Sequence, residues 1–189
     1  FKPLAETQRP GPAALEFLQA RNDVDADRMG IIGISLGGYY APRAAAFEKR
    51  LRCCVAWGAM WDFGQLCRQR VNGSGTGAVY ADWLDQFKFV FGDDLDAALA
   101  ITDRMALAPV MARIACPTLV VHGAGDRQVP VDVAHRAAQG VTGAPVTLKI
   151  FDASEGGVEH SQSDNMTLAV DHIAHWVAQT LGTVGAGRS

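Results

Sequence analysis

Ser35, Asp126 and His160 are the residues of this chain whose types and surroundings fit nucleophilic catalysis. A serine hydroxyl becomes a nucleophile when a histidine takes its proton, and the histidine needs a carboxylate to fix its tautomer. Ser35 lies in Gly33-Ile34-Ser35-Leu36-Gly37, directly after the apolar run Met29-Gly30-Ile31-Ile32. That pattern reads as a nucleophile elbow, a sharp strand-to-helix turn that lifts the hydroxyl out of the backbone. Gly33 and Gly37 read as its steric part: strand and helix come so close that a side chain at either position would collide. Ser35 then stands at the positive end of the next helix, and the Leu36 N–H faces the developing oxyanion. The plainer reading, a serine capping a helix after a buried strand, leaves the acid and base downstream unexplained.

The acid and base follow in the order that such an elbow requires. The strand Thr118-Leu119-Val120-Val121-His122 runs into Gly123-Ala124-Gly125-Asp126-Arg127-Gln128-Val129-Pro130. An aspartate just past the carboxyl end of a parallel strand lies on the edge where such sheets carry their sites. The next strand, Val146–Phe151, is followed by the loop Glu155-Gly156-Gly157-Val158-Glu159-His160. From there an imidazole reaches across the sheet edge. His122, at a strand end, is expected to shape the acid turn. His135, His172 and His175 fall on predicted helices and read as packed or solvated residues.

These side chains need a scaffold, and its pattern is strands alternating with helices, which implies a parallel sheet. Helices are expected at Ala13–Ala20 after the breaker Pro10-Gly11-Pro12, and from Leu36 to about Lys49 with a kink or short first segment at Pro42. Further helices are expected at Asp132–Gln139 and Asn165–Leu181, with a frayed tail over Gly182–Ser189. Strands are expected at Met29–Ile34, Arg52–Trp57, Thr118–His122 and Val146–Phe151. Residues 1–57 and 116–189 then form the core. The segment 58–115 carries no convincing strand but holds Trp61, Phe63, Tyr80, Trp83, Phe87, Phe89 and Phe91. It reads as a helical, lid-like insertion over the sheet, although packing helices with an aromatic core of their own would look the same. Gly73-Ser74-Gly75-Thr76-Gly77 reads as a joint within it; it lacks the Gly-Lys-Ser/Thr ending of a phosphate loop.

Composition narrows the function. At 189 residues the chain suffices for one domain with a sizeable core. A net charge of −3 without a basic run argues against nucleic-acid or membrane-surface partners. No apolar stretch approaches the ~18 residues of a membrane span, and no signal peptide is visible. The four cysteines, Cys53, Cys54, Cys67 and Cys116, show no metal-ligand spacing and none sits on an elbow. They are expected to be reduced thiols in a cytoplasmic protein that takes a small-molecule substrate and needs no metal or cofactor, with a homodimer left open.

The run from Arg28 to Ala41 resembles the α/β-hydrolase superfamily, as do Glu48-Lys49-Arg50-Leu51-Arg52-Cys53-Cys54-Val55-Ala56-Trp57-Gly58, Ile114-Ala115-Cys116-Pro117-Thr118 with the Asp126 turn, and Glu159-His160 with Asp164-Asn165. The connector and the strand ending in Trp-Gly are similar to the branch containing 2,6-dihydroxypseudooxynicotine hydrolase and the FrsA-type esterases. The resemblance implies an α/β fold forming the C-terminal part of an α/β-hydrolase, with Ser35, Asp126 and His160 as triad. It implies cleavage of an ester or of a C–C bond next to a ketone; the aromatic residues of the 58–115 insertion suit a substrate with an apolar or aromatic body. It also implies earlier strands and an oxyanion loop ahead of the elbow, so these residues alone are expected to be poorly active. The alternatives are a prolyl-oligopeptidase-like peptidase and a catalytically inert hydrolase-fold binding protein.

Overall fold

The computed structural model describes residues 8–73 and 82–185. Its centre is a four-stranded sheet in the order β1 (Gly30–Ile34), β2 (Cys53–Trp57), β3 (Thr118–Gly123) and β4 (Val146–Phe151). Every neighbouring pair is parallel, with Ile34 level with Trp57 and Trp57 level with Val121. All strands therefore deliver their following loops to one edge.

β2 and β3 are buried along their whole length, as strands covered on both faces must be. Val55, Trp57, Leu119, Val121 and Phe151 pack with Ala169 and Ile173 of α7 (Met166–Gly185) on one face. Cys54, Ala56 and Val120 face the other way and join the alanines of α2 (Gly37–Phe47) and α6 (Asp132–Gly140). Alanine lets these helices lie close to the sheet. At the β1 end the cover is thinner: Ile32 and Ile34 remain 53% and 43% exposed.

Two helix boundaries differ from the sequence reading. α1 spans Pro10–Gln19, so Pro10-Gly11-Pro12 lies inside its first turn rather than before it. First-turn amides have no intrahelical acceptor, so proline costs nothing there and its fixed φ suits the helix. α7 continues to Gly185, past the expected end at Leu181; residues 186–189 of the expected frayed tail lie outside the described residues. α2 runs without interruption through Pro42.

The segment 58–115 holds α3 (Phe63–Val71), α4 (Trp83–Phe91), α5 (Leu95–Thr102) and a 3₁₀ turn at Met111–Arg113. Asp62 and Asp94 cap α3 and α5, accepting from the Gln65 and Ala97 amides at 2.8 and 3.1 Å. Most of the described aromatics here pack on each other. Phe87 lies between Trp83 and Phe91, at 5.0 and 4.9 Å between ring centroids, and Phe91 meets Phe63 at 6.1 Å. Phe89 alone points outward, 91% exposed. Tyr80 and Ser74-Gly75-Thr76-Gly77 lie outside the described residues.

Candidate active site

Ser35 and Leu36 occupy the two-residue turn between β1 and α2. Ser35 has φ +56°, a left-handed conformation that costs a non-glycine residue about 1–3 kcal/mol and clusters at functional sites. Hydrogen bonds hold it there. The Ser35 amide donates to the Trp57 carbonyl at 2.9 Å, and the Ser35 carbonyl accepts from the Gly38 amide at 2.7 Å. The Leu36 N–H is among the first amides of α2, which the helix itself leaves without acceptors.

The elbow glycines need correction. A Cβ on Gly33 would lie 2.0 Å from the Gly37 carbonyl oxygen and 2.9 Å from the Ala41 Cβ, so a close approach does require glycine there. A Cβ on Gly37 would meet nothing within 4 Å. The second steric position is Gly38, where a Cβ would lie 2.5 Å from the Gly58 carbonyl oxygen. Gly37 contributes its carbonyl to the crowding at Gly33 and points its own α-carbon outward.

The structure brings Ser35, His160 and Asp126 into one chain of contacts. Ser35 Oγ lies 2.9 Å from His160 Nε2, and His160 Nδ1 lies 2.7 Å from Asp126 Oδ2. The second carboxylate oxygen, Oδ1, accepts the Gln128 and Val129 amides at 2.8 and 2.9 Å. The acid is thus held by its own turn, and a carboxylate acceptor at Nδ1 selects the tautomer whose Nε2 lone pair faces the serine. Burial pushes the Asp126 carboxyl upward. The hydrogen bond and charge of His160, with the Val129 amide and His122, outweigh that and hold it below the ordinary carboxylate value.

His122 is fully buried beneath the acid. Its Nε2–H donates to the Val129 carbonyl at 2.9 Å and lies 3.3 Å from Asp126 Oδ2. Burial pushes its pKa down, so the ring is a neutral donor. It ties the acid to the far side of its turn. Replacing it by phenylalanine strands the buried Val129 carbonyl, and a loss of about 1–3 kcal/mol is expected, measured by thermal or urea denaturation.

His160 approaches from the loop between β4 and α7, which docks on the Asp126 turn. The Gly125 amide donates to the Val158 carbonyl at 3.0 Å. A Cβ on Gly123 would lie 2.2 Å from that carbonyl oxygen, so the contact depends on glycine. Trp57 closes the other side: its indole N–H donates to Gln162 Oε1 at 2.5 Å. No local sequence pattern marks Gly123, Trp57 and Gln162 as neighbours that hold the His160 loop. The Trp-Gly end of β2 carries the branch resemblance, without indicating that the indole reaches Gln162.

The remaining candidates fall away. His135 and His175 are exposed on helices, and His172 packs edge-on against Phe151. All four thiols are buried and free; burial raises Cys53 to about 11 and Cys67 to about 12, which leaves them protonated at neutral pH. Among the described residues no cluster of three or more His, Cys, Asp or Glu side chains could hold a metal, and no helix is long and apolar enough to cross a membrane. A cavity of about 120 Å³ opens between α3 and α6, lined by Trp61, Leu66, Val129, Pro130 and Val133, with Asp62, Gln65 and Arg136 at its polar parts.

The sequence profile of the prolyl oligopeptidase family matches residues 12–184. A curated relative, 2,6-dihydropseudooxynicotine hydrolase of Paenarthrobacter nicotinovorans, is 32% identical over 121 residues, covering 63% of this chain and 30% of its own length. The crystal structure of 2,6-dihydroxy-pseudo-oxynicotine hydrolase superposes with a TM-score of 0.77 at 24% identity, over 94% of this chain and 47% of that one. A puromycin-hydrolysing peptidase of Mycobacterium tuberculosis superposes with a TM-score of 0.70 at 19% identity, over 93% of this chain and 26% of that one. The chain therefore spans less than half the length of these proteins, and the family match over residues 12–184 includes Ser35, Asp126 and His160.

Proposed function

The chain belongs to the prolyl oligopeptidase family of α/β-hydrolases, and on that premise we propose that it carries the catalytic residues of a serine hydrolase. Ser35 is the nucleophile, His160 the general base and Asp126 the residue that orients it. The observation that supports this most is the continuous hydrogen-bonded path from Ser35 Oγ through His160 to Asp126, at 2.9 and 2.7 Å.

In this reading His160 keeps its Nδ1 proton on Asp126 and takes the Ser35 proton at Nε2 as Oγ bonds to a carbonyl carbon. The negative charge collects on the carbonyl oxygen, opposite the Leu36 N–H. The imidazolium returns its proton to the departing group, leaving an acyl-enzyme. Water then attacks the acyl carbon with His160 as base, and the acid product and free Ser35 result. From an ester the leaving group is an alcohol. From a C–C bond beside a ketone it is a carbanion held as an enol or phenol-like form, which accepts the same proton. The cavity beside the Asp126 turn joins apolar walls at Trp61, Leu66 and Val133 to polar ones at Asp62, Gln65 and Arg136, and so suits a substrate body that is apolar or aromatic on one side and polar on the other. A peptide substrate is the second reading, supported by the family description and by the likeness to a peptidase.

A fluorophosphonate probe tests the assignment in the full gene product. Covalent labelling of the wild type is expected, with loss of labelling in Ser35→Ala. An unlabelled wild type would sink the serine-hydrolase reading and favour an inert binding protein. Turnover of p-nitrophenyl esters against peptide p-nitroanilides separates the two substrate readings.

A further inference from the structure

The loop that carries His160 is held in a conformation that its residues do not favour. Gly156, Gly157, Ser161 and Gln162 all have φ between +53° and +81°, and Ser161 and Gln162 are not glycine. Glycine takes that conformation freely, so the strain lies after His160, and left-handed Ser161 and Gln162 persist only where surrounding contacts over-determine them.

Before His160, where two glycines leave the backbone free to take other paths, one side chain fixes its course. The Asp164 carboxylate accepts three consecutive backbone amides: Gly157 and Val158 on Oδ2 at 3.0 Å each, and Glu159 on Oδ1 at 2.9 Å. These are the residues immediately before His160. Within the same loop the Gln162 amide donates back to the Glu159 carbonyl at 2.9 Å and the Asn165 amide to the Gln162 carbonyl at 2.9 Å. The chain therefore folds over its own base-bearing residue and closes on Asp164.

We propose that Asp164 is a positioning residue for the base, clamping residues 157–159 so that the His160 imidazole stays between Ser35 and Asp126. The proposal rests on the reading of His160 as the base. A carboxylate suits the task because it offers two acceptor oxygens and no donor. Asparagine fills the same space but turns an N–H₂ toward at least one of the three amides. Asp164 is exposed, so the change opens no cavity in the core. What it alters is the placement of the ring, and small misplacements of reacting groups lower rate more than affinity.

The experiment measures fluorophosphonate inactivation of the full gene product, separating the limiting rate from the half-saturating probe concentration. Asp164→Asn is expected to lower the limiting rate about tenfold or more, with little change in half-saturation and a modestly lower Tm. Asp171→Asn removes an exposed carboxylate on α7 and is expected to match the wild type. His160→Ala separates the two layers of the argument. If His160→Ala abolishes inactivation while Asp164→Asn keeps the wild-type rate, the clamp is refuted and the base stands. If His160→Ala reacts like the wild type, the base reading falls and takes the clamp with it. Should Asp164→Asn not fold, amide exchange in the wild type decides: slow exchange at Gly157, Val158 and Glu159 supports the clamp, and exchange at unprotected rates overturns it.

Discussion

Asp126→Asn is expected to lower the rate of Ser35 acylation about 10⁴-fold while leaving substrate half-saturation and the overall fold nearly unchanged. The reason lies in which way the new amide must point. Oδ1 of Asp126 accepts two backbone amides, from Gln128 and Val129. An asparagine keeps both bonds only if its carbonyl oxygen takes that place. Its N–H₂ then occupies the Oδ2 position and donates to His160 Nδ1. That moves the imidazole proton to Nε2, where it confronts Ser35 Oγ instead of accepting from it. His122 reinforces the cost, because its Nε2–H, 3.3 Å from Oδ2, then faces another donor. The ring stays in place with the wrong tautomer. Phosphonylation of Ser35 by the fluorophosphonate probe gives the rate of nucleophilic attack, and a chromogenic ester gives the split between kcat and KM. A variant within tenfold of the wild type would remove Asp126 from the mechanism.

The same carboxylate ties stability to pH. Its folded-state pKa lies below the ordinary value, so its contribution is present above the ordinary carboxylate range and fades as pH falls through the lower folded value. The Tm difference between wild type and Asp126→Asn is accordingly largest at neutral pH and narrows in acid.

The α/β character and the site edge were readable in the sequence because each rests on local pattern. Short apolar runs bounded by glycine became β1 to β4, and the segments after β1, β3 and β4 carry Ser35, Asp126 and His160 in order along one edge. What escaped were relations between distant segments. Gly38 matters because of the Gly58 carbonyl, and Gly123 because of the Val158 carbonyl; neither partner is near in sequence. Trp57 reads as a buried strand residue, yet its N–H anchors Gln162, beyond the base. The aromatics of residues 58–115 fit a roof over a substrate and a core of their own equally well in sequence; Phe63, Phe87 and Phe91 are buried with one another. Composition reveals that rings are abundant and cannot say which way they face.

Gly33→Ala and Gly37→Ala are expected to differ sharply, although both replace a glycine of the same pentapeptide by the same residue. At position 33 the new methyl would sit 2.0 Å from the Gly37 carbonyl oxygen and 2.9 Å from the Ala41 Cβ. The first obstacle is backbone and cannot rotate away. Relief requires α2 to move off β1, which costs about 1–3 kcal/mol or more by overpacking and should lower Tm by roughly 2–12 °C in a domain of this size. Because Ser35 lies between the two elements, the same displacement carries Oγ away from His160 Nε2, and acylation should fall about a hundredfold or more. At position 37 the methyl meets nothing within 4 Å and α2 begins there, so alanine reduces the freedom of the unfolded chain without a clash. Gly37→Ala should therefore leave labelling intact and hold or raise Tm, by the equivalent of about 0.4–1 kcal/mol. Equal damage from the two substitutions would mean that the close approach lies elsewhere than at Gly33. The expected asymmetry, read by paired melting curves and labelling rates, places a tight contact of the elbow at Gly33 and leaves position 37 free.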